Sequence, residues 1–233
     1  LDNFSDKFKL TRAYCSINVE AYIPRFQEIS KKLINSLEKD EFKGSWEGMN
    51  FGSKKLMYMP QSKKSVKNSI KNFVQDIERE ALSFNKKSIY LEKNTWSILC
   101  FDQILDIFPD SKLIHIYRDP RDVVASFLTQ RWVPNDPKKA AEAYLIIMKS
   151  WLNIREKIKA NNLLEISLEE LINDQKNVVR KICRFSNLRE EESLFKFPLN
   201  KGNIGRWKKD LRLNEQKCIQ STLSKILEIY NYE

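Results

Sequence analysis

Two helical stripes dominate the first third of the chain. Ile23, Phe26, Ile29, Leu33 and Leu37 recur at intervals of three and four, which places one apolar stripe on a helix over 19–37. Val66, Ile70, Phe73, Val74, Ile77 and Leu82 do the same among Lys, Asp and Glu, and predict a second amphipathic helix. Before 19 the chain reads as irregular and exposed, and Gly44, Gly52, Pro60 and scattered aromatics mark 40–61 as a loop or lid. The period then shortens. Residues 88–91 (SIYL), 112–117 (KLIHIY) and 163–167 (LLEIS) are brief apolar runs that read as strands, the first buried and the second covered on both faces. Helices fill the intervals: one carrying Trp96, Ile98, Leu99, Ile104 and Ile107, one over 123–127, a long one over 138–158, one after Ser167 and a last one over 214–230. Ser167 and Glu170 have the spacing of a capping box. The alternation predicts an α/β fold, a parallel β-sheet flanked by helices with right-handed crossovers, in a single domain over 1–233.

Composition narrows the class. A chain of 233 residues, 42% of them hydrophobic, can bury one substantial core, and five glycines with seven prolines argue against a linker-rich protein. No apolar run approaches a membrane span and no secretory leader is present, so no transmembrane segment and a cytoplasmic location are expected. Cys15, Cys100, Cys183 and Cys218 are widely spaced and His115 is the only histidine, so neither a structural metal site nor a disulfide framework is expected. Forty-one Lys and Arg against 31 Asp and Glu give a net charge of +10, which favours an anionic partner. The cluster over 63–71 reads as a solvated helix face, which makes nucleic acid an unlikely partner.

Charge also collects where two strands end. The run KLIHIY gives way to Arg118, Asp119, Pro120, Arg121 and Asp122, read as a turn because Pro120 keeps Asp119 out of the helical region. A strand, a basic turn and a helix N-terminus form a place where anions bind in open α/β sheets. Arg118 can grip a phosphate through two parallel bonds, and Ser126, about two helical turns on, can face the same group. The competing reading is a surface ion pair between Arg118 and Asp122. Glu92 and Lys93 follow the 88–91 run and are either solvated charges or part of a site. His115, inside a strand, reads as a packed core residue.

Taken together, Glu92-Lys93, the turn from Arg118 to Ser126, the segment Ser167-Leu168-Glu169-Glu170-Leu171 and the segment Lys201-Gly202-Asn203-Ile204-Gly205-Arg206-Trp207-Lys208 resemble, in order and spacing, the PAPS-dependent sulfotransferases (PAPS is 3′-phosphoadenosine 5′-phosphosulfate). The likeness looks closest to the branch that includes the tyrosylprotein sulfotransferases. It implies that Arg118 and Ser126 hold the 3′-phosphate and that the K-G-x-x-G-x-W-K segment, with Lys201, Gly202, Arg206 and Trp207, closes over the nucleotide. Lys93 falls in the place of a lysine that assists the leaving group. Glu20 falls near the family's carboxylate base, although a first-turn carboxylate complementing a helix dipole accounts for it equally well. The implied co-substrate is PAPS, the product PAP, and the acceptor a hydroxyl or amine of unspecified class.

The family's 5′-phosphosulfate loop, P-x-S-G-T-T after a first strand, does not occur in these residues. With Leu1 at the start, the expectation is an N-terminally truncated domain that lacks that strand and loop. Leu168 stands where relatives carry a tyrosine that holds adenine, and Asn94 interrupts the usual E-K-T-P wording. Two other readings stay open: a nucleotide or small-molecule kinase on a related phosphate-loop scaffold, and a non-catalytic basic module for nucleic acid or acidic polymers.

Overall fold

The computed structural model describes residues 23–37, 41–42, 57–58, 62–130, 133–199 and 204–232. Its internal contacts divide the chain into two compact units, one up to Lys93 and one from Asn94 onward.

In the first unit, α1 (Phe26–Leu37) packs on α2 (Lys63–Phe84), and β1 (Glu41–Phe42) pairs antiparallel with β2 (Met57–Tyr58). Phe26 meets Phe73 at 6.4 Å between ring centres, and Ile29 is buried. Ion pairs join Lys32 to Asp76 at 2.6 Å and Arg25 to Glu80 at 3.7 Å, and their opposite order along the two helices makes the hairpin antiparallel. Ser62 caps α2 by accepting the Ser65 N–H. The apolar stripe of α2 is only half buried, with Ile70 45% exposed. Residues 88–91, expected to be a buried strand, are irregular, and Leu91 is 85% exposed. A run of four residues is too short to show a period, and such a run becomes a strand only when a neighbour pairs its backbone groups. Among the described residues 88–91 has no such ladder.

The second unit carries the parallel pair of the α/β fold. The strands β3 (Leu113–Tyr117) and β4 (Leu163–Ser167) run in register from Leu113 opposite Leu163 to Tyr117 opposite Ser167, so both end at one level. On β3 His115 is buried, whereas Ile116 is 51% exposed: among the described residues the strand is not covered on both faces. Before β3 the expected single helix is a 3-10 turn (Ser97–Leu99) followed by α3 (Phe101–Ile107), because Cys100 between them leaves helical geometry with φ −140°. After β3 comes α4 (Pro120–Phe127), which begins at Pro120 rather than 123. Proline at the first helical position lacks an N–H that would be unpaired there anyway, and its fixed φ suits the helix.

Then follow α5 (Pro137–Arg155), α6 (Leu168–Asn173), α7 (Gln175–Ser186), α8 (Glu192–Lys196), α9 (Trp207–Asp210) and α10 (Leu213–Ile229). The helix expected after Ser167 is two, because Asp174 leaves helical geometry and its carboxylate caps α7 instead. Tyr144, Met148 and Trp151 of α5 interlock with Ile219, Leu223 and Ile226 of α10 to form the core. Against it lie Val124 and Ala125 of α4 and the His115 ring, in a T-shaped contact with Trp151 at 4.7 Å between ring centres. The Trp151 indole N–H donates to the Tyr230 hydroxyl at 3.1 Å. This layer fixes α4 behind the ends of the two strands.

Candidate anion-binding site

The level ends of β3 and β4 bring two chain turns together. Ser167 caps α6 by accepting the Glu170 N–H at 2.9 Å, which aims Glu169 across the strand ends. The Asp119 N–H then donates to Glu169 Oε1 at 3.1 Å, and the Tyr232 hydroxyl donates to Glu169 Oε2 at 2.8 Å. Asp119 in turn caps α4, its carboxylate accepting the Arg121 N–H at 2.8 Å.

The charges of this turn are not equivalent. Arg121 is buried and grips the Asp119 carboxylate through Nε and Nη2, the latter at 2.9 Å from Oδ2. Its guanidinium also lies over the Trp207 ring at 4.2 Å. Asp122 is fully buried, and its two oxygens accept N–H bonds from Gly205 at 2.7 Å and Trp207 at 3.0 Å. Burial pushes this carboxyl above the usual range, against the pull of those two N–H groups. The competing reading, a surface ion pair between Arg118 and Asp122, is therefore not what forms: Arg118 Nη2 donates to the Asp122 backbone carbonyl at 3.3 Å. Among the described residues Arg118 has no carboxylate in ion-pair range, and it is half-buried at the tip of β3. Ser126, also half-buried, lies six residues into α4, about 9 Å along the axis.

The sequence candidates thus fall into three groups. Arg118, Ser126, Arg206 and Trp207 all belong to the second unit and are grouped around α4, Trp207 through its N–H bond to Asp122. Arg206 is held by Asp210, Nε to Oδ2 at 2.7 Å, and Trp207 is buried beneath Arg121. Lys93 is exposed at the end of the first unit. Glu20, Lys201 and Gly202 lie outside the described residues. Among the described residues no group of His, Cys, Asp and Glu could hold a metal, and no helix is long and apolar enough to cross a membrane.

Sequence reasoning missed Asp119, Arg121, Asp122 and Glu169 as the frame of the site. Arg-Asp-Pro-Arg-Asp reads as a solvated turn because the partners that bury it are backbone N–H groups more than 80 residues on, at Gly205 and Trp207. The one local signal was an acidic residue at each end of a proline-started helical turn, the pattern of an N-cap.

Comparisons with known proteins give the family and the fold. A model described as "Sulfotransferase family" matches residues 19–192, about three quarters of the chain. A 3-beta-hydroxysteroid sulfotransferase of Cavia porcellus is 32% identical over 38% of this chain and 38% of its own length. A 3-alpha-hydroxysteroid sulfotransferase of the same animal is 30% identical over the same shares. The matched part of the chain thus spans well under half the length of these curated relatives. Among solved structures, the sulfotransferase domain of the Synechococcus PCC 7002 olefin synthase superposes with a TM-score of 0.53 at 19% identity, over 73% of this chain and 67% of that one. A sulfotransferase from Mycobacterium avium gives 0.52 at 19% identity, over 74% and 48%. These likenesses show the fold, and the family match, over most of the chain, carries the assignment: this chain belongs to the sulfotransferase family.

Proposed function

We propose that this chain takes part in transferring a sulfuryl group from PAPS to a hydroxyl or amine acceptor, and that the turn between β3 and α4 holds the 3′-phosphate of the nucleotide. One observation carries the reading. Of the four charged side chains from Arg118 to Asp122, Asp119 and Arg121 neutralise each other and Asp122 is satisfied by backbone N–H groups. Arg118 is left half-exposed and, among the described residues, bonds only to a backbone carbonyl. A cation so placed, at a strand end beside a helix N-terminus, suits a dianionic phosphate.

PAPS, when bound, supplies the sulfuryl group, and PAP is the product. Arg118 donates to the 3′-phosphate and Ser126 adds a hydroxyl donor. Lys201 and Gly202 cover the same region, with Arg206 and Trp207 in the segment that closes it. Lys93 neutralises charge that develops as the sulfuryl group leaves, and Glu20 takes the acceptor's proton. No protein-bound metal enters this scheme, since basic side chains and backbone amides can stabilise an in-line transfer. The reaction belongs in the cytoplasm, where the free thiols Cys100, Cys183 and Cys218 stay reduced.

Titrating PAP into the intact protein tests the reading. Arg118→Ala is expected to weaken PAP binding roughly tenfold to a hundredfold, the range for one charge-assisted donor. Equal affinity for both proteins contradicts it.

A further inference from the structure

Asp122 is the most deeply buried of the three buried charges of the turn, and nothing in the proposed chemistry uses it. A fully buried carboxylate needs compensation, and among the described residues no cation pairs with it: its oxygens take the Gly205 and Trp207 N–H groups instead. Two features make the contact specific. Gly205 has φ +72°, a conformation side chains rarely adopt, although a Cβ there would meet nothing within 4 Å; the backbone geometry, not lack of space, calls for glycine. The Trp207 ring also lies under the Arg121 guanidinium, so the carboxylate, at the backbone N–H, and the ring contact fix the segment at two points. The same residue also reaches Arg118, whose Nη2 is held by the Asp122 carbonyl. One residue therefore ties the strand-end arginine, through its backbone carbonyl, and the glycine-bearing segment, through its carboxylate, into a single frame.

We propose that Asp122 is a positioning residue: by fixing the Gly205 and Trp207 backbone on one side and Arg118 on the other, it sets how tightly the site holds the 3′-phosphate. This rests on the PAPS reading above. In this proposal the effect on the phosphate is carried by Arg118, whose Nη2 donates to the Asp122 carbonyl, and not by a contact of Asp122 itself.

The test compares PAP with adenosine 5′-monophosphate, which lacks the 3′-phosphate, on the intact protein and its Asp122→Asn, Arg118→Ala and double variants. Asp122→Asn keeps the shape but turns an amide N–H toward a backbone donor. It is expected to weaken PAP about fivefold or more while leaving 5′-monophosphate binding within about twofold. In the Arg118→Ala background the same change is expected to add less than about twofold, because its route is already cut. Amide exchange at Gly205 and Trp207 is expected to quicken.

If Asp122→Asn binds PAP like the parent while Arg118→Ala does not, the inference fails and the PAPS reading stands. Should the two losses simply multiply, or should both nucleotides weaken alike, Asp122 is only a structural residue and the inference fails again. Unchanged PAP affinity in Arg118→Ala sinks both. Where Asp122→Asn does not fold, Gly205→Ala decides: it displaces the same N–H from the other side, and undiminished PAP affinity overturns the proposal.

Discussion

Arginine and aspartate alternate through the turn after β3, yet each of the four side chains has a different task. Arg121 is packed between the Asp119 carboxylate and the Trp207 ring, so its removal leaves a buried carboxylate with no cation. Arg121→Ala is therefore expected to cost about 3 kcal/mol, measured by denaturant unfolding, with Arg121→Lys recovering only part of it because an ammonium has no planar fork to stack or pair twice. Ser126→Ala removes a neutral donor and should weaken PAP only a few-fold, roughly the worth of one uncharged hydrogen bond. Lys93 differs in kind. If it assists the leaving group, Lys93→Ala lowers kcat by more than about tenfold while PAP affinity stays within about twofold; an equal loss in binding would move it from chemistry to nucleotide contact.

The elements were legible where they were long or punctuated. The stripes of α1 and α2, the strands β3 and β4 and the cap at Ser167 follow from period and capping residues alone. Residues 88–91 failed because a strand of four depends on a neighbour that local sequence does not encode, and α6 and α7 were fused because their apolar stripe continues across the break at Asp174. The turn at Arg118 was found, but the burial of Asp122 was not, since it depends on a contact 83 residues away. The register of β3 and β4 has its own consequence. It sets Glu165 opposite His115, where Nδ1 lies 3.0 Å from Oε1, and Arg155 Nε donates to Oε2 at 2.6 Å. Burial raises the Glu165 pKa, but the His115 hydrogen bond and the Arg155 charge outweigh it and hold the carboxyl below the ordinary value of 4.5. A depressed folded-state pKa contributes stability that is present above the unfolded value and lost as pH falls through the folded one. The melting temperature is therefore expected to drop as pH falls below the ordinary glutamate range, and Glu165→Gln should flatten part of that drop. A variant with the parent's full acid sensitivity would show that the strand pair draws no stability from this carboxylate.

At the scale of the molecule, the second unit is organised by the contact of α5 with α10, and Trp151 is its largest fully buried side chain. Trp151→Ala removes that volume and leaves the Tyr230 hydroxyl without its donor, so a loss of about 3 to 5 kcal/mol is expected in urea unfolding. Through Tyr117, whose ring centre lies 4.6 Å from that of Tyr230 in a tilted contact, the same core braces the strand end on which Arg118 sits. The net charge of +10 draws anions in general, so affinity for a nucleotide alone does not separate a built phosphate site from a basic surface. The measurement that does is discrimination: the affinity for PAP divided by that for adenosine 5′-monophosphate, in the intact protein and in the Arg118→Ala, Ser126→Ala double variant. The account predicts a strong preference for PAP in the parent, at least about tenfold, that collapses toward unity in the variant. A parent that binds the two nucleotides equally, or a variant that keeps the preference, would contradict it.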